Sequence, residues 1–377
     1  MVMSEAPPLS LHFTSIGINP IPEGETERYV GQVLPTLCIK RDNFEDNNKI
    51  DTKEYNAYTG QDTILQGEDR TKGESTPSLS IGLQFDEGLE GFLFAFSGKH
   101  DTVVPAITNA VTAKKWKIYR DVSSTVDLPW MTIVDAFNWG TPTASAWINA
   151  FVNTIKISMK SDDNPMLEVG TMSDLEKPNQ DVPTRTFAST EYRLKANQCK
   201  IYMGPADTSE ASLESSTYLV DCYTEAEFNG NNNMESKVCG GTPFGTTNKN
   251  RKPLTAEGNL KMDYNESNAG LLAEYLTGSS SGTDPTEESM FKSLLFKYTG
   301  KKIETVGTAP GTDVYCSLAI YLPKVSISDV KSPRSGDNTK DISLSYKVVS
   351  NAQVTTPPIS FTLITPCDEI PYGTIPS

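Results

Sequence analysis

The feature that most constrains this chain of 377 residues is that it repeats itself. At a constant shift of 179, Ile81, Leu83, Phe85, Gly91 and Tyr119 fall on Leu260, Met262, Tyr264, Gly270 and Tyr298. Further on the shift becomes 170, and Phe151, Ile155 and Ile157 meet Tyr321, Val325 and Ile327. Upstream it is 161, where Cys38 meets Cys199. The changes of shift fall in segments that read as loops, where insertions cost least. One unit used twice is the economical reading, with domains over 30–185 and 186–352 between an N-terminal arm (1–29) and a C-terminal tail (353–377).

Each copy carries strand periodicity. Leu79–Phe85, Val152–Met159, Leu318–Ile327 and Ile342–Val348 alternate apolar and polar residues, as half-buried strands do. Turn-rich clusters, Ser161–Pro165 and Ser332–Asn338, separate them. Helix signals are few: Asp86–Phe96 and Asn268–Leu276 each begin polar and turn apolar, as a short helix packed on a sheet would. The fold class that follows is mainly β, two tandem antiparallel sandwich or barrel domains, each with a short helix. Ile81, Leu83, Phe85, Ile155, Ile157, Leu260, Met262, Tyr264, Val325 and Ile327 are its wall strands.

Before its first alternating strand each copy carries a long polar stretch, Arg41–Thr76 and Thr217–Thr255. Such stretches are uncommon inside a compact domain unless they bind something, often another subunit. Tyr55, Tyr58 and Ile64 in the first, and Tyr218, Tyr223 and Phe228 in the second, supply β-formers enough for an extended hairpin arm.

Chemistry is thin. There are two histidines, His12 and His100, and six scattered cysteines with no closely spaced pair, so neither a metal cluster nor a His relay is visible. No phosphate-loop, dinucleotide or nucleophile-elbow motif occurs. The sequence therefore implies no enzyme and no cofactor or metal. The cysteines read as reduced thiols of a cytoplasmic protein, with Cys222 and Cys239 the natural pair if a disulfide formed. No signal peptide precedes residue 15, and the richest apolar run, Phe92–Phe96, is far too short to span a bilayer. A net charge of −15 argues against tight binding of nucleic acid by the chain as a whole.

Ala150–Lys160 followed by Pro165–Gly170, and Leu322–Ile327 with Ile342–Tyr346, resemble the closing strand pairs of the tail tube (major tail) proteins of long-tailed bacteriophages, in the form with a duplicated tube domain. The order strand, long hairpin, strand, helix, strands is similar over about residues 30–350. The resemblance implies a structural virion protein whose rings stack into the conduit for genome ejection. A trimer of two-domain chains would make a pseudo-hexameric ring, with a hexamer as the alternative. Its implied partners are further copies of itself, the tape measure, terminator and distal tail proteins, and viral DNA passing through without specific binding. No membrane insertion is implied, and the location is the virion, assembled in the host cytoplasm. Two other readings compete: a terminator or distal tail protein, and a carbohydrate-binding adhesin module using Trp116, Trp130, Trp139 and Trp147. Transit of DNA further implies lumen positions richer in Asp, Glu, Asn, Ser and Thr than in Lys or Arg.

Overall fold

Period-two patterning commits most of the chain to strands, and in a computed structural model the strands join into an extended antiparallel sheet system with few helices. The structure describes residues 13–29, 31–39, 42–54, 68–85, 88–120, 128–138, 142–161, 163–184, 192–220, 222–237, 248–263, 270–287, 289–307, 311–331, 341–349 and 356–376. The chain is mainly β, as its pattern predicts, and the described strands close no barrel within one copy.

In the first half, Phe13–Ile18 pairs with Met131–Asn138, which pairs with the long strand Pro142–Lys160. That strand pairs with Met166–Met172, then comes Ser78–Gly82, then Asn43–Glu45. In the second half, Cys199–Pro205 pairs with Phe291–Val306, which pairs with the long strand Thr312–Lys331. Next come Asp341–Val348, Thr255–Asp263 and Tyr223–Asn231. The two orders match strand for strand. A hairpin follows the last-named strand in each half, Asn48–Glu54 with Glu68–Ser75 and Met234–Lys237 with Asn248–Arg251. A helix follows the next strand in each, Gly88–Ser97 and Gly270–Thr277. The shift of 179 lands on matching elements at Ile81, Leu83 and Gly91. Tyr119 and Tyr298 do not match, because Lys114–Tyr119 is a strand with no counterpart in the second-half order.

The halves are fused by backbone pairing. Tyr223–Asn231 closes the second-half sheet on one edge, and its other edge pairs with Thr154–Lys160 of the first half. A second tie comes from the C-terminus. Ser360–Thr365 pairs with Lys114–Tyr119 on one side and with Ser317–Tyr321 on the other. Beyond it the Trp116 indole donates to Cys367 O at 2.8 Å, and Ile18 N donates to Pro371 O at 2.9 Å. Leu34 and Thr374 exchange two backbone bonds. The C-terminal segment is thus a strap of the second half laid across the first. Ladder pairing satisfies its backbone groups, which a buried loop would leave without partners.

Apolar alternates of the sheets pack around the helices into one core. The first-half helix lies in it along its whole length, with Leu89, Phe92, Leu93 and Phe96 among its buried side chains. Burial of a side chain of that size removes its apolar surface from water, at about 25 cal/mol per Å2.

Candidate functional site

The fusion of the halves creates one continuous wall of eight strand segments. In order they are Asn43–Glu45, Ser78–Gly82, Met166–Met172, Thr154–Lys160, Tyr223–Asn231, Thr255–Asp263, Asp341–Val348 and the end of Thr312–Lys331. Because side chains alternate across a strand, pairing in register sorts them into two faces. One face is core: Ile81, Leu167, Ile157, Phe228, Leu260 and Leu344 are all buried.

The opposite face is mostly polar, with Met166, paired to Ser158, and Met172 as apolar exceptions. One cross-strand row reads Asn43, Ser80, Glu168, Lys156, Asn229, Glu257, Lys347, Ser326. The row beside it contains Ser158, Glu227, Asn259, Ser345 and Asp329. A third holds Lys160, Glu225, Lys261, Ser343 and Lys331. In these three rows five carboxylates match five lysines, and Glu45 at one edge with the facing pair Asp263 and Asp341 tips the face toward acid. Ser, Thr and Asn fill most of the rest, and among the described residues of the eight segments this face has neither arginine nor aromatic ring. The lysines have acidic neighbours. Lys156 lies 3.5 Å from Glu227, Lys261 3.1 Å from Asp341, and Lys331 3.0 Å from Asp329. The hydrogen bond from Lys261 to Asp341 raises the lysine above its ordinary pKa.

The wall residues named from sequence sort onto this frame. Ile81, Ile155, Ile157, Leu260, Met262, Val325 and Ile327 are buried in wall strands. Leu83 and Phe85 are buried just past the strand Ser78–Gly82. Tyr264 lies outside the described residues, as do Tyr55, Tyr58 and Ile64 of the first arm. The second arm needs correction. Its hairpin starts at Met234, whereas Tyr223 and Phe228 belong to the wall strand Tyr223–Asn231. Phe228 is fully buried, with its ring 5.9 Å from that of Phe361. Tyr218 sits in a single turn, Ser216–Tyr218, packed beside Tyr202 and Leu213. The polar stretch held a wall strand as well as an arm, and counting its β-formers could not separate the two.

The arm roots differ in chemistry. At the first, the Trp147 indole donates to Ser75 Oγ at 3.0 Å, and Ser75 Oγ donates in turn to Asp46. The Asn48 amide donates to Asp46 Oδ2 and to Glu176 Oε2, both at 2.7 Å, while Ser145 donates to Glu176. Burial, with Glu176 adding repulsion, raises the Asp46 carboxyl above its ordinary pKa. At the second root the one ion pair among the described residues, Lys252 with Glu235, is exposed, and the groups that tie the hairpin to the wall are neutral. Met234 N donates to Asn153 Oδ1 at 2.9 Å, and Asn233 Nδ2 donates to Pro253 O at 2.8 Å.

No described group of three or more His, Cys, Asp or Glu side chains could hold a metal ion. Cys38, Cys199, Cys222, Cys316 and Cys367 form no disulfide with one another, and burial pushes Cys199 up to about 12. Cys239 lies outside the described residues. A cleft of about 650 Å3 lies between Leu37, His100, Trp116 and the strap residues Glu369 and Tyr372. His100 Nδ1 in it is taken by Asp101 O at 2.8 Å. Trp116 and Trp147 are buried to within 3% and offer no face for a sugar, while Trp139 lies outside the described residues.

Sequence reasoning missed the segment that makes the joint between the halves. Leu79 pairs with Phe44, and Gly258, 179 residues on, pairs with Phe228. Aligned through those ladders, Asn43-Phe-Glu-Asp-Asn-Asn48 stands over Glu227-Phe-Asn-Gly-Asn-Asn232, with a Phe and two Asn in common. The shared Phe-x-x-Asn-Asn was legible in the sequence at a shift of 184, but it is short and lies in stretches read as loop. In the joint Asn232 is buried, and its amide donates to Phe96 O at 3.1 Å and to Val152 O at 2.9 Å. Gly230 lies under the Phe96 ring, where an added Cβ would stand 2.5 Å from it.

No protein-family model matches this chain, and no curated protein matches it.

Proposed function

We propose that this chain is a structural subunit that polymerises through its sheet edges into a tube, and that the polar face of the eight-segment wall lines the lumen. The single observation that carries this reading is that face: polar across both halves except at Met166 and Met172, acidic on balance, and without arginine or aromatic side chains among the described residues of the eight segments. A surface that holds nucleic acid does the reverse. It places Arg and Lys on phosphates and aromatic rings under bases, and it gains affinity from released counterions. A wall meant to let a polyanion slide should repel weakly and offer nothing to stack on. The resemblance to phage tail tube proteins supports the same assignment, with the hairpins as contacts between successive rings and the genome as the cargo. In that reading three chains of two matched halves make one ring, and the protein acts in the virion without catalysing a reaction. No described helix is long and apolar enough to cross a membrane.

Negative-stain electron microscopy of the purified protein across a concentration series tests the assignment. Tubes of uniform width, with an axial repeat of one ring, are the expected outcome. Closed rings that never stack would favour a terminator or distal tail component. A chain that stays monomeric throughout would overturn the proposal.

A further inference from the structure

The internal joint predicts an external one. In the chain, Tyr223–Asn231 docks on Thr154–Lys160 and places Phe228 opposite Ile157. The matching half-sites occur once more, facing outward. Leu167 pairs with Ile81, and Leu344 pairs with Leu260, which is Ile81 shifted by 179. The next partners outward are Ile157 for Leu167 and Val330 for Leu344, both on the core face. Val330 therefore occupies the place of Ile157, three residues past the Ile327 that the sequence shift of 170 assigns to it. Phe44 occupies the place of Phe228, as its pairing to Leu79 shows.

The two outward half-sites have room. The strand Asn43–Glu45 carries one described ladder, to Ser78–Gly82. On Thr312–Lys331 the ladder to Phe291–Val306 stops at Ser326, and past Ile327, whose N bonds Met290 O, no described strand pairs on that side of Asp329–Lys331. The helices agree. At the internal joint the first-half helix is buried along its whole length, and its Phe96 lies against Gly230. Of the second-half helix only Leu271 is buried, and beside its end Leu276 is 50% and Phe291 38% exposed. At the shift of 179 Phe96 becomes Tyr275, whose hydroxyl donates to Ser328 O at 3.1 Å on the strand in question.

We infer that a second copy of this chain docks head to tail here, its Asn43–Asn48 pairing antiparallel with Asp329–Lys331 so that its Phe44 lies opposite Val330 and its Asn43 opposite Lys331. The occupant is a copy of this chain because only a segment with the Phe-x-x-Asn-Asn pattern reproduces the internal joint. Asn48 takes the part of Asn232 and turns from Asp46 and Glu176 to one carbonyl at the end of the second-half helix and one on the long strand Thr312–Lys331. Glu45 would come beside Asp329, and Lys331, already bonded to Asp329, lies diagonally from it. At one place the copy is inexact: Asp46 stands where Gly230 does, so the contact with Tyr275 differs from that with Phe96. The joint rests on the proposed assembly for its setting, but it is a property of two chains, whatever the final object.

Disulfide trapping decides it. In the full-length chain with Cys222→Ser and Cys239→Ser, the pair Asn43→Cys and Lys331→Cys should link different copies on mild oxidation, giving a reducible ladder of oligomers that neither single variant gives. The pair Ser158→Cys with Glu227→Cys occupies the same register inside the chain and serves as the control by linking within one copy. Asn48→Ala, which introduces no cysteine, is the second measure. It should raise the concentration needed for assembly by about tenfold, the loss of roughly one hydrogen bond per joint. Assemblies in which the control links but Asn43→Cys and Lys331→Cys do not would overturn the joint and leave the tube standing. Linked oligomers that never form tubes would leave the joint standing and overturn the tube.

Discussion

The helices Gly88–Ser97 and Gly270–Thr277 occupy the same place in matching strand orders, yet one is wholly buried and the other has a single buried residue. Helix propensity does not explain this. The difference lies in what the chain lays over each. The first is covered by the long strand Pro142–Lys160, by Gly230 from the second half and by Pro371 of the C-terminal strap, whose ring an added Cβ on Gly91 would meet at 3.0 Å. The second meets the matching long strand, Thr312–Lys331, but nothing among the described residues takes the places of Gly230 and Pro371 over it. A sequence carrying two copies of one unit can complete only one of the two joints the unit specifies, and the remaining half-sites are left at opposite ends of the wall.

The sharpest way to break this comparison is to cut the same residue on its two sides. Phe228→Ala empties a buried ring from the completed joint and should cost about 3–5 kcal/mol of stability in denaturant unfolding. Phe44→Ala removes the matching ring where it is half-buried, packed 5.0 Å from Trp147. It should cost the isolated chain clearly less and should instead weaken self-assembly. Equal losses for the two variants in the monomer would mean that the open site is already covered.

A smaller effect separates the two asparagines. Asn232→Ala removes the side-chain donor to Val152 O and leaves Phe96 O with only the longer bond from Arg120, and should destabilise the chain by about 1–3 kcal/mol. Asn48→Ala, at an exposed position, should change monomer stability by no more than about 0.5 kcal/mol. A shift of similar size from both, measured by urea midpoint, would count against the equivalence of the two segments.

How far the sequence reaches follows from which signals are local. The wall strands were legible because alternation is a local consequence of a half-buried sheet: Ile155, Ile157 and Met159 are buried and Lys156 and Ser158 face the other way. Both short helices were legible from their polar starts and apolar runs. The roles of Tyr223 and Phe228 were not, because a short wall strand between a turn and a hairpin carries the same β-formers as an arm. Nor was the strap. Ser360–Thr365 reads as a possible strand, but that it would pair with Lys114–Tyr119 of the other half depends on contacts some 245 residues apart in sequence, which no local pattern encodes. The polar face was foreseen as a composition and became a surface only once register brought Glu168, Lys156, Asn229 and Glu257 into one row.

The tie with the smallest expected effect is also the one that pH reaches. Glu304, on the strand Phe291–Val306 of the second half, accepts from the backbone N–H groups of Val111, Thr112 and Ala113 in the first, at 3.3, 3.0 and 2.6 Å. These bonds, that of Ala113 foremost, hold its carboxyl below the ordinary glutamate range. A carboxyl whose folded pKa lies below its unfolded value contributes stability above the unfolded pKa and loses it as pH falls through the folded one. Acid should therefore loosen this contact before it reaches the core. Glu304→Gln should lower the thermal midpoint slightly at neutral pH, and the gap to the parent should close as pH falls below the ordinary glutamate pKa. Because the group is exposed, salt should narrow the gap as well. The internal joint, held by ladders and buried rings with only the part-exposed pair Lys156–Glu227 across it, should respond much less, so a large pH-dependent loss centred on Phe228 would mean that the halves are held together mainly by charge.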